Sequence, residues 1–357
     1  MAAAPKKFRL SGTHARRIAR LSVVATIALV VAFVAMGWWL LFANQSHVLA
    51  GRPAHVDVKA GQSTRQIAHT LADKGVIGNV NGFALLARLT FADGKLQPGS
   101  YDLETGMSSG AAIKALMAGP PIKVVTVTIP EGFRVDQIAQ RMHDEVGVSK
   151  SAFLKLAEGG AKQFAAGHPY LAGAYKNSLE GYLFPKTYEI AEGSSASGII
   201  EMMLDQFDRE TERLDFSAAQ QRNVTPAEVV VIASMIERES KLDRERPLVS
   251  AVIYNRLRVG MRLKIDATIE YVLRDNRLRL TSADLYTPTP YNTYLHKGLP
   301  RGPISNPGLA SLQAAAHPAD SAFLYYVLTG KDGSHTFTTN LADFLVAKKK
   351  SKEVFGR

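Results

Sequence analysis

The longest uninterrupted apolar stretch of the chain lies near its N-terminus. Leu21–Phe42 contains 22 residues without a charged side chain, enough for a helix to cross a hydrocarbon layer about 30 Å thick. Six lysines and arginines and no acidic residue precede it, so the positive-inside rule puts the N-terminus in the cytoplasm. The pattern predicts a basic cytoplasmic tail (1–20), a transmembrane helix (21–42) and an extracytoplasmic remainder. The alternative is a cleaved signal peptide that ends near residue 50.

A second pattern, in the middle of the chain, is typical of a capped helix. Thr225 suits the cap, Pro226 suits the first helical position, and Glu228 completes a capping box. The helix is predicted to run from about Pro226 to about Leu242, with one apolar stripe at helical spacing. That stripe consists of Val229, Ile232, Ala233 and Ile236, with Glu239 and Ser240 at its C-terminal edges.

The end of this helix carries two glutamates that helical spacing separates. Glu237 falls outside the stripe and has Lys241 four residues on, an arrangement that favours an exposed ion pair. Glu239 has Asp243 at that spacing, so it lacks such a partner and is expected to be the more desolvated of the two. Burial and a like charge both raise the pKa of a carboxyl group, which makes Glu239 a candidate general acid. The alternative is that both are ordinary surface glutamates.

A weak internal repeat precedes the capped helix, with an offset of 71 residues between its copies. Val58–Leu71 and Ile129–Met142 each read as the end of a strand, a glycine turn and an amphipathic helix, and the second strand is predicted over Lys123–Ile129. Such units resemble the peptidoglycan-binding LysM module. The alternative is that a strand, a glycine and a helix follow one another in many α+β domains.

From about Ser149 the pattern changes to helices joined by longer loops. Helices are predicted around Ser197–Asp215 and Arg246–Val259, and Thr287–Pro307 is a loop dense in proline, glycine, asparagine and tyrosine. The fold class is therefore α+β: a single N-terminal transmembrane helix, a LysM-like α/β subdomain, and a mainly helical catalytic domain with short strands and long loops. The predicted boundaries are 43–53 for a linker, 54–148 for the LysM-like region, 149–347 for the catalytic domain and 348–357 for a basic tail.

Composition and charge change this picture little. The chain has 357 residues, 46% of them hydrophobic and 21% charged, as expected of globular domains. The net charge of +11 includes the six basic residues before the apolar stretch, and without them 37 basic residues face 32 acidic ones. No concentrated nucleic-acid patch remains. The absence of cysteine excludes thiol catalysis and disulfides.

Several reaction classes lack the residues they need. The histidines show no His-Glu-x-x-His pattern, and the chain contains no phosphate-binding Walker loop, no dinucleotide-binding glycine loop and no Ser-x-x-Lys nucleophile motif. We therefore expect no metal and no cofactor. The reaction class that remains is acid-base catalysis by a carboxyl group, acting on a polymer outside the cytoplasm.

Cleavage of a glycosidic bond fits that chemistry in two ways. Hydrolysis commonly needs two carboxylates, one acid and one nucleophile or base. A lytic transglycosylase needs one, because the same carboxyl group protonates the leaving oxygen and then assists attack by the sugar's own 6-hydroxyl. Glu239 suits the second reaction, and Asp266 is available as a second carboxylate for the first.

Short motifs in a fixed order extend this argument over most of the chain. They are Leu179–Pro185, Ile232–Ser240, Tyr254–Leu257, Gly260–Leu263, Tyr291–Tyr294, Gly298–Pro300, Gly302–Gly308, Ala314–Ala315 with Pro318, and His335–Phe337. In these motifs the chain resembles the YceG-like family of membrane-anchored endolytic murein transglycosylases.

The resemblance implies an activity, a location and partners. It implies that Glu239 is catalytic, that a LysM-like subdomain precedes the catalytic domain, and that the enzyme cuts the MurNAc-GlcNAc bond of nascent glycan strands internally. The product would carry 1,6-anhydro-MurNAc ends, and the cut would terminate strand elongation. The implied setting is the outer face of the cytoplasmic membrane, with peptidoglycan strands and penicillin-binding synthases as partners and no nucleic acid.

Five further residues are predicted to contact or support the substrate: Asn255, Tyr291, Asn292, Glu180 and Asp266. Each of the first four has a purely structural alternative. Asn255 would brace its helix, and the pair Tyr291-Asn292 would shape its loop. Glu180 would form an ion pair with Arg262 or Arg256.

Two other functions stay open on the sequence alone. One is a non-catalytic membrane-anchored scaffold that binds peptidoglycan and synthases. The other is a muramidase that hydrolyses the same bond with Glu239 and Asp266.

Overall fold

The computed structural model describes residues 12–42, 50–121, 123–274 and 280–356. The chain divides into two units, Met1–Ile122 and Lys123–Arg357. Residues 1–11 of the predicted cytoplasmic tail and residues 43–49 of the predicted linker lie outside the described part.

Helix α1 (Gly12–Phe42) extends over the apolar stretch. Its large apolar side chains between Val23 and Met36 are exposed. Judged on the described residues, no helix is both long enough and apolar enough to cross a membrane.

The rest of the first unit has the order strand, helix, helix, strand, helix. These elements are β1 (Pro53–Val58), α2 (Thr64–Asp73), α3 (Val80–Leu89), β2 (Gly99–Glu104) and α4 (Ser109–Ala118). The two strands pair antiparallel, with Pro53 opposite Glu104 and Val58 opposite Gly99. Alternate residues of β1 are buried against the apolar faces of the helices, as the period of a strand requires.

The second unit is mainly helical. Its strands are β3 (Val124–Thr128), β4 (Thr187–Ala191), β5 (Tyr325–Leu328) and β6 (His335–Thr338). Its helices are α5 (Val135–Val146), α6 (Lys150–Gly159), α7 (Ala161–Phe164), α8 (Ala196–Thr211), α9 (Ser217–Gln220), α10 (Pro226–Glu239), α11 (Arg246–Arg258), α12 (Ala267–Leu273), α13 (Leu309–Ala316) and α14 (Leu341–Phe355). Strand β3 pairs antiparallel with β4, and β5 with β6. The predicted α+β class is confirmed.

Helix α10 lies at the centre of the second unit. Its capping box forms as predicted: the Thr225 amide donates to Glu228 Oε2 at 2.8 Å, and the Glu228 amide donates to Thr225 Oγ1 at 3.3 Å. Every residue from Val229 to Ile236 is buried, because α11 and α13 pack against the helix. A helix buried all round is expected to be apolar on every face, which explains why the valines beside the predicted stripe are buried as well.

The helix ends three residues earlier than predicted. Ser240 and Leu242 both have extended backbone angles, and the Ser240 hydroxyl donates to the Leu242 carbonyl at 2.9 Å. A serine that bonds its own backbone in this way competes with the helical hydrogen bonds. Glu239 is therefore the last residue of α10.

The second copy of the repeat folds with the helices that follow it. Strand β3 belongs to that copy and pairs with β4, and Ile138 and Met142 of α5 lie in the core of the second unit. The predicted boundary after residue 148 thus falls inside the second unit. The basic residues between Lys348 and Lys352 lie within α14.

Candidate active site

Glu239 occupies the point where the central helix leaves the core. Ile236, three residues before it, is fully buried, whereas Glu239 itself is only partly buried. The Tyr326 hydroxyl of β5 donates a hydrogen bond to Glu239 Oε2 at 2.8 Å. The side chain is therefore held between the helix end and a strand that lies 87 residues further along the chain.

The surroundings of Glu239 favour its protonated form. Burial raises the pKa of the carboxyl group to about 7, and the charges of Asp266 and Glu270 act in the same direction. The hydrogen bonds from Tyr326 and from the Ala267 amide lower the pKa and offset part of this shift. A carboxyl group with a pKa near 7 is present in both forms at neutral pH, as a residue that first donates and then accepts a proton requires.

Two further side chains position Tyr326. The His335 ring packs edge-on against the Tyr326 ring, with 5.5 Å between centroids. Glu245, at the start of α11, accepts hydrogen bonds from the His335 ring at 2.8 Å and from the His335 amide at 3.1 Å. Burial and the neighbouring Glu239 raise the pKa of Tyr326 well above its ordinary value, so the phenol stays a hydrogen-bond donor.

Asp266 directly precedes α12. It is exposed, accepts a hydrogen bond from the Tyr294 hydroxyl, and acts electrostatically on Glu239. Of the five supporting residues predicted from the sequence, Asp266 is the one whose charge raises the pKa of the Glu239 carboxyl group.

Glu237 behaves differently from its prediction. Its side chain is 6% exposed and forms an ion pair with Arg246 at 3.1 Å rather than an exposed pair with Lys241. Its other oxygen accepts a hydrogen bond from the Gly308 amide at 3.0 Å. Asp243, four residues after Glu239, forms an ion pair with Arg246 at 2.9 Å. The like charges that act on Glu239 come from Asp266 and Glu270 of another segment.

The two predicted asparagines serve the backbone. Asn255 donates to the carbonyls of Ser321 and Phe323 at 2.8 and 3.0 Å, which ties α11 to the segment leading into β5. Asn292 is fully buried and donates to the carbonyls of Leu285 and Thr287 at 3.0 and 2.8 Å. It also accepts a hydrogen bond from the Tyr294 amide at 2.8 Å, so it supports the residue that bonds Asp266.

Glu180 is a buried group in a polar network rather than a surface ion-pair partner. Asn306 donates to it at 2.9 Å, and the Val135 amide donates at 3.2 Å. Burial raises the pKa of Glu180 to about 8. The ion pair with Arg262 or Arg256, which was the structural alternative for Glu180, is not found among the described residues, and the Arg256 guanidinium donates to the carbonyls of Leu324 and Leu263 instead.

A cavity of about 840 Å³ lies beside the first half of α10. Glu180, Asn255 and Tyr291 line it, whereas Glu239 does not. Val231 on the cavity wall precedes Glu239 by eight residues, which corresponds to about 12 Å along the helix. Five of the six sequence-predicted residues therefore divide between two places, with Glu239 and Asp266 at one and these three at the other, and Asn292 does not line the cavity.

Comparison with known proteins supports one family. The model of the YceG-like family matches residues 56–350. The chain belongs to the YceG-like family. The endolytic murein transglycosylase of Bacillus subtilis is 32% identical over 305 residues, which cover 83% of this chain and 84% of that protein. The protein of the same name from Streptococcus pneumoniae strain R6 is 30% identical over 81% of this chain and 56% of its own length.

A solved structure agrees with this family membership. The crystal structure of a YceG-like protein from Listeria monocytogenes shares 31% identity and a TM-score of 0.56, covering 82% of this chain and 98% of the other. The resemblance predicted from the motifs is confirmed. The prediction that the chain is an enzyme is confirmed at the level of the YceG-like family, because its named relatives are transglycosylases.

Sequence reasoning did not select several residues that surround the predicted site residues. Tyr326 was not selected, because no local pattern links a tyrosine in a short strand to a helix end far away in sequence. Tyr294 and His335 stand in recognised motifs, but only the geometry shows their contacts with Asp266 and Tyr326. Asn306 also stands in a motif, and it bonds both the Glu180 carboxyl group and the Gly181 amide.

Proposed function

We propose that this protein is an endolytic lytic transglycosylase that cleaves the MurNAc-GlcNAc bond of peptidoglycan and leaves 1,6-anhydro-MurNAc ends. The observation that carries the proposal is the Glu239 carboxyl group, which is held by Tyr326 at the end of the central helix with a pKa of about 7. The names of the relatives in Bacillus subtilis and Streptococcus pneumoniae support the same substrate.

In the proposed reaction Glu239 acts twice. Its protonated form donates the proton to the glycosidic oxygen as the bond to the anomeric carbon of MurNAc breaks. The resulting carboxylate then accepts the proton of the 6-hydroxyl as that oxygen attacks the anomeric carbon and closes the anhydro ring. The carboxylate of Asp266 would stabilise the positive charge that develops at the anomeric carbon, because the two charges are of opposite sign.

The same Asp266 is the observation that favours a second candidate, a muramidase. Hydrolysis would use Glu239 as the acid and Asp266 as the second carboxylate. The two reactions differ in their products, since hydrolysis adds water and leaves a reducing end.

Mass spectrometry of the digested glycan distinguishes the two reactions. We expect fragments from inside the strand that are lighter by one water than reducing-end fragments, and we expect no incorporation when the digestion is run in H₂¹⁸O. Labelled reducing ends would convert the assignment to a muramidase. Intact glycan after treatment with a protein that still binds it would favour a non-catalytic scaffold.

The pKa of Glu239 predicts how activity depends on pH. The acid must be protonated for the first step, so activity should fall as the pH rises through about 7. In Tyr326→Phe the hydrogen bond that lowers the pKa is lost, and the basic limb of the pH profile should move to higher pH. The control is Tyr325→Phe, because the neighbouring tyrosine stacks on Phe344 instead and should leave the limb in place. If the basic limb of the pH profile does not move in Tyr326→Phe, the group that titrates in this limb is not Glu239.

We extend the proposal to location and partners. The uncharged stretch Leu21–Phe42 and the basic residues before it support a single membrane anchor with the N-terminus in the cytoplasm. This part of the proposal rests on the sequence alone, since the described residues contain no helix long and apolar enough to cross a membrane. The antiparallel pair of β1 and β2 enclosing α2 and α3 supports a LysM-like glycan-binding module. The enzyme would then act on nascent strands beside penicillin-binding synthases, where a cut terminates elongation.

A further inference from the structure

A cluster of one buried histidine and three carboxylates lies in the second unit outside the site of Glu239. His168 directly precedes a short 3-10 turn, Pro169–Gly173, and its side chain is 2% exposed. The carboxylates of Glu201, Asp205 and Asp208 all come from α8 and are about half exposed. Their spacing of four and three residues places them on one face of that helix.

Asp208 determines how the imidazole ring is oriented. His168 Nδ1 lies 2.6 Å from Asp208 Oδ2, and because an ionised carboxylate only accepts, Nδ1 carries the proton. The other ring nitrogen, Nε2, faces Glu201 Oε1 at 3.5 Å and Asp205 Oδ1 at 4.0 Å. Within the described part of the chain this buried nitrogen has no hydrogen-bond partner.

We propose that His168 Nε2, Glu201 and Asp205 bind a divalent transition-metal ion such as Zn²⁺, with Asp208 as the carboxylate that orients the histidine. Their ligand atoms lie within 4.8 Å of one another. Imidazole nitrogen with carboxylate oxygen is a ligand set suited to zinc or manganese and less so to magnesium or calcium. A metal-bound histidine usually donates its second N–H to a carboxylate, as His168 does to Asp208.

The distances favour a metal over a proton on Nε2. A charge-assisted hydrogen bond between an imidazolium and a carboxylate would be about 2.7 to 2.9 Å long, shorter than either observed separation. Ligand atoms around a tetrahedral zinc ion at about 2.1 Å lie about 3.4 Å apart, close to the 3.5 Å between Nε2 and Glu201. The distance between Nε2 and Asp205 Oδ1 is longer, at 4.0 Å, and a small rotation of the half-exposed Asp205 side chain would shorten it.

The position of the site indicates what the ion would do. His168 leads into the turn whose end, Gly173, and the following Ala174 and Tyr175 line the cavity beside α10. An ion bound at this cluster would clamp that segment to α8 and stabilise one wall of the cavity. The role is structural and independent of the reaction proposed for Glu239.

Titration of the chelator-treated full-length protein with ZnCl₂, MnCl₂ and MgCl₂ tests the site. Calorimetry should show one zinc ion per chain, weaker manganese binding and no magnesium binding. At a hundredfold excess over Kd, zinc should raise Tm by at least about 3 °C. Glu201→Gln and Asp205→Asn should each weaken zinc binding at least about tenfold, and Asp208→Asn should weaken it about 10-fold to 100-fold.

Two matched variants control for adventitious binding. Glu212→Gln removes a carboxylate at the end of α8, and His317→Gln removes a half-exposed histidine beside Asp215. Both should bind zinc as the wild type does. If Glu201→Gln and Asp205→Asn bind zinc with the affinity of the wild type, the zinc binds adventitiously elsewhere and the proposal is overturned. A wild-type Tm that zinc does not move would also overturn it.

Discussion

Glu239→Gln is expected to reduce glycan cleavage by about a thousandfold or more while the protein stays folded. A positioned general acid contributes about a hundredfold to ten-thousandfold to a rate, and here the same group serves in both halves of the proposed reaction. The amide of glutamine can still accept the Tyr326 hydrogen bond but has no acidic proton to transfer to the leaving oxygen. The measurement is the initial rate of anhydro-end formation at equal concentrations of folded enzyme.

The stability of the same variant provides an independent check. The pKa of Glu239 in the fold, about 7, is above the ordinary value of 4.5, so folding favours the protonated form. The stability that the protonated Glu239 side chain contributes is therefore fully present below about pH 4.5 and is lost as the pH rises through 7. Glu239→Gln should have the higher Tm of the two proteins at pH 8, and the difference should shrink at pH 5.

In the activity assay, a rate for Glu239→Gln within tenfold of the wild type would assign the general acid to another residue, and Asp266 would be the first residue to test.

Glu237→Gln is expected to have the opposite profile, with a large loss of stability and little change in the chemistry. The Glu237 and Arg246 side chains are 6% and 8% exposed, and removing one partner leaves a buried charge without its counterion. Such a loss costs about 3 kcal/mol of unfolding free energy, and the bond from Asp243 to Arg246 keeps the cost near the lower end of the usual range. Urea unfolding at pH 7 measures it.

Two variants separate the ion pair from other effects. Lys241→Gln should change the unfolding free energy by less than about 0.5 kcal/mol, because the partner expected from helical spacing is not the partner found. Glu237→Gln combined with Arg246→Met should recover part of the loss, since the uncompensated charge is gone. An unfolding free energy of Glu237→Gln within about 0.5 kcal/mol of the wild type would show that the pair contributes no net stability.

Local signals predicted the elements well. The capping box at Thr225, Pro226 at the first helical position and the alternating β-branched residues of β3 all act within a few residues, and the elements they predict are present. The end of α10 was placed too late because apolar periodicity alone does not register the backbone bond that Ser240 makes.

The reasons for choosing Glu239 over Glu237 from the sequence were only partly correct. Helical spacing indicated burial at the stripe's edge, and burial is the main cause of the raised pKa. The like charge was assigned to Asp243, and the exposed ion pair to Lys241, because only neighbours four residues away are visible in a helix pattern. The counterion of Glu237 is Arg246, which lies beyond the end of α10.

The sequence by itself determined strand β3, the presence of helices α5, α8, α10 and α11, and the family, because capping, periodicity and motif order depend on residues close together in the chain. The tertiary structure decided the partners of each polar group: Tyr326 for Glu239, Arg246 for Glu237, Asn306 for Glu180 and the carboxylates of α8 for His168. A pKa depends on desolvation and on charges within a few ångströms in space. These surroundings exist only once the packed helices and the β5–β6 hairpin have brought distant segments together, so no local pattern could supply them.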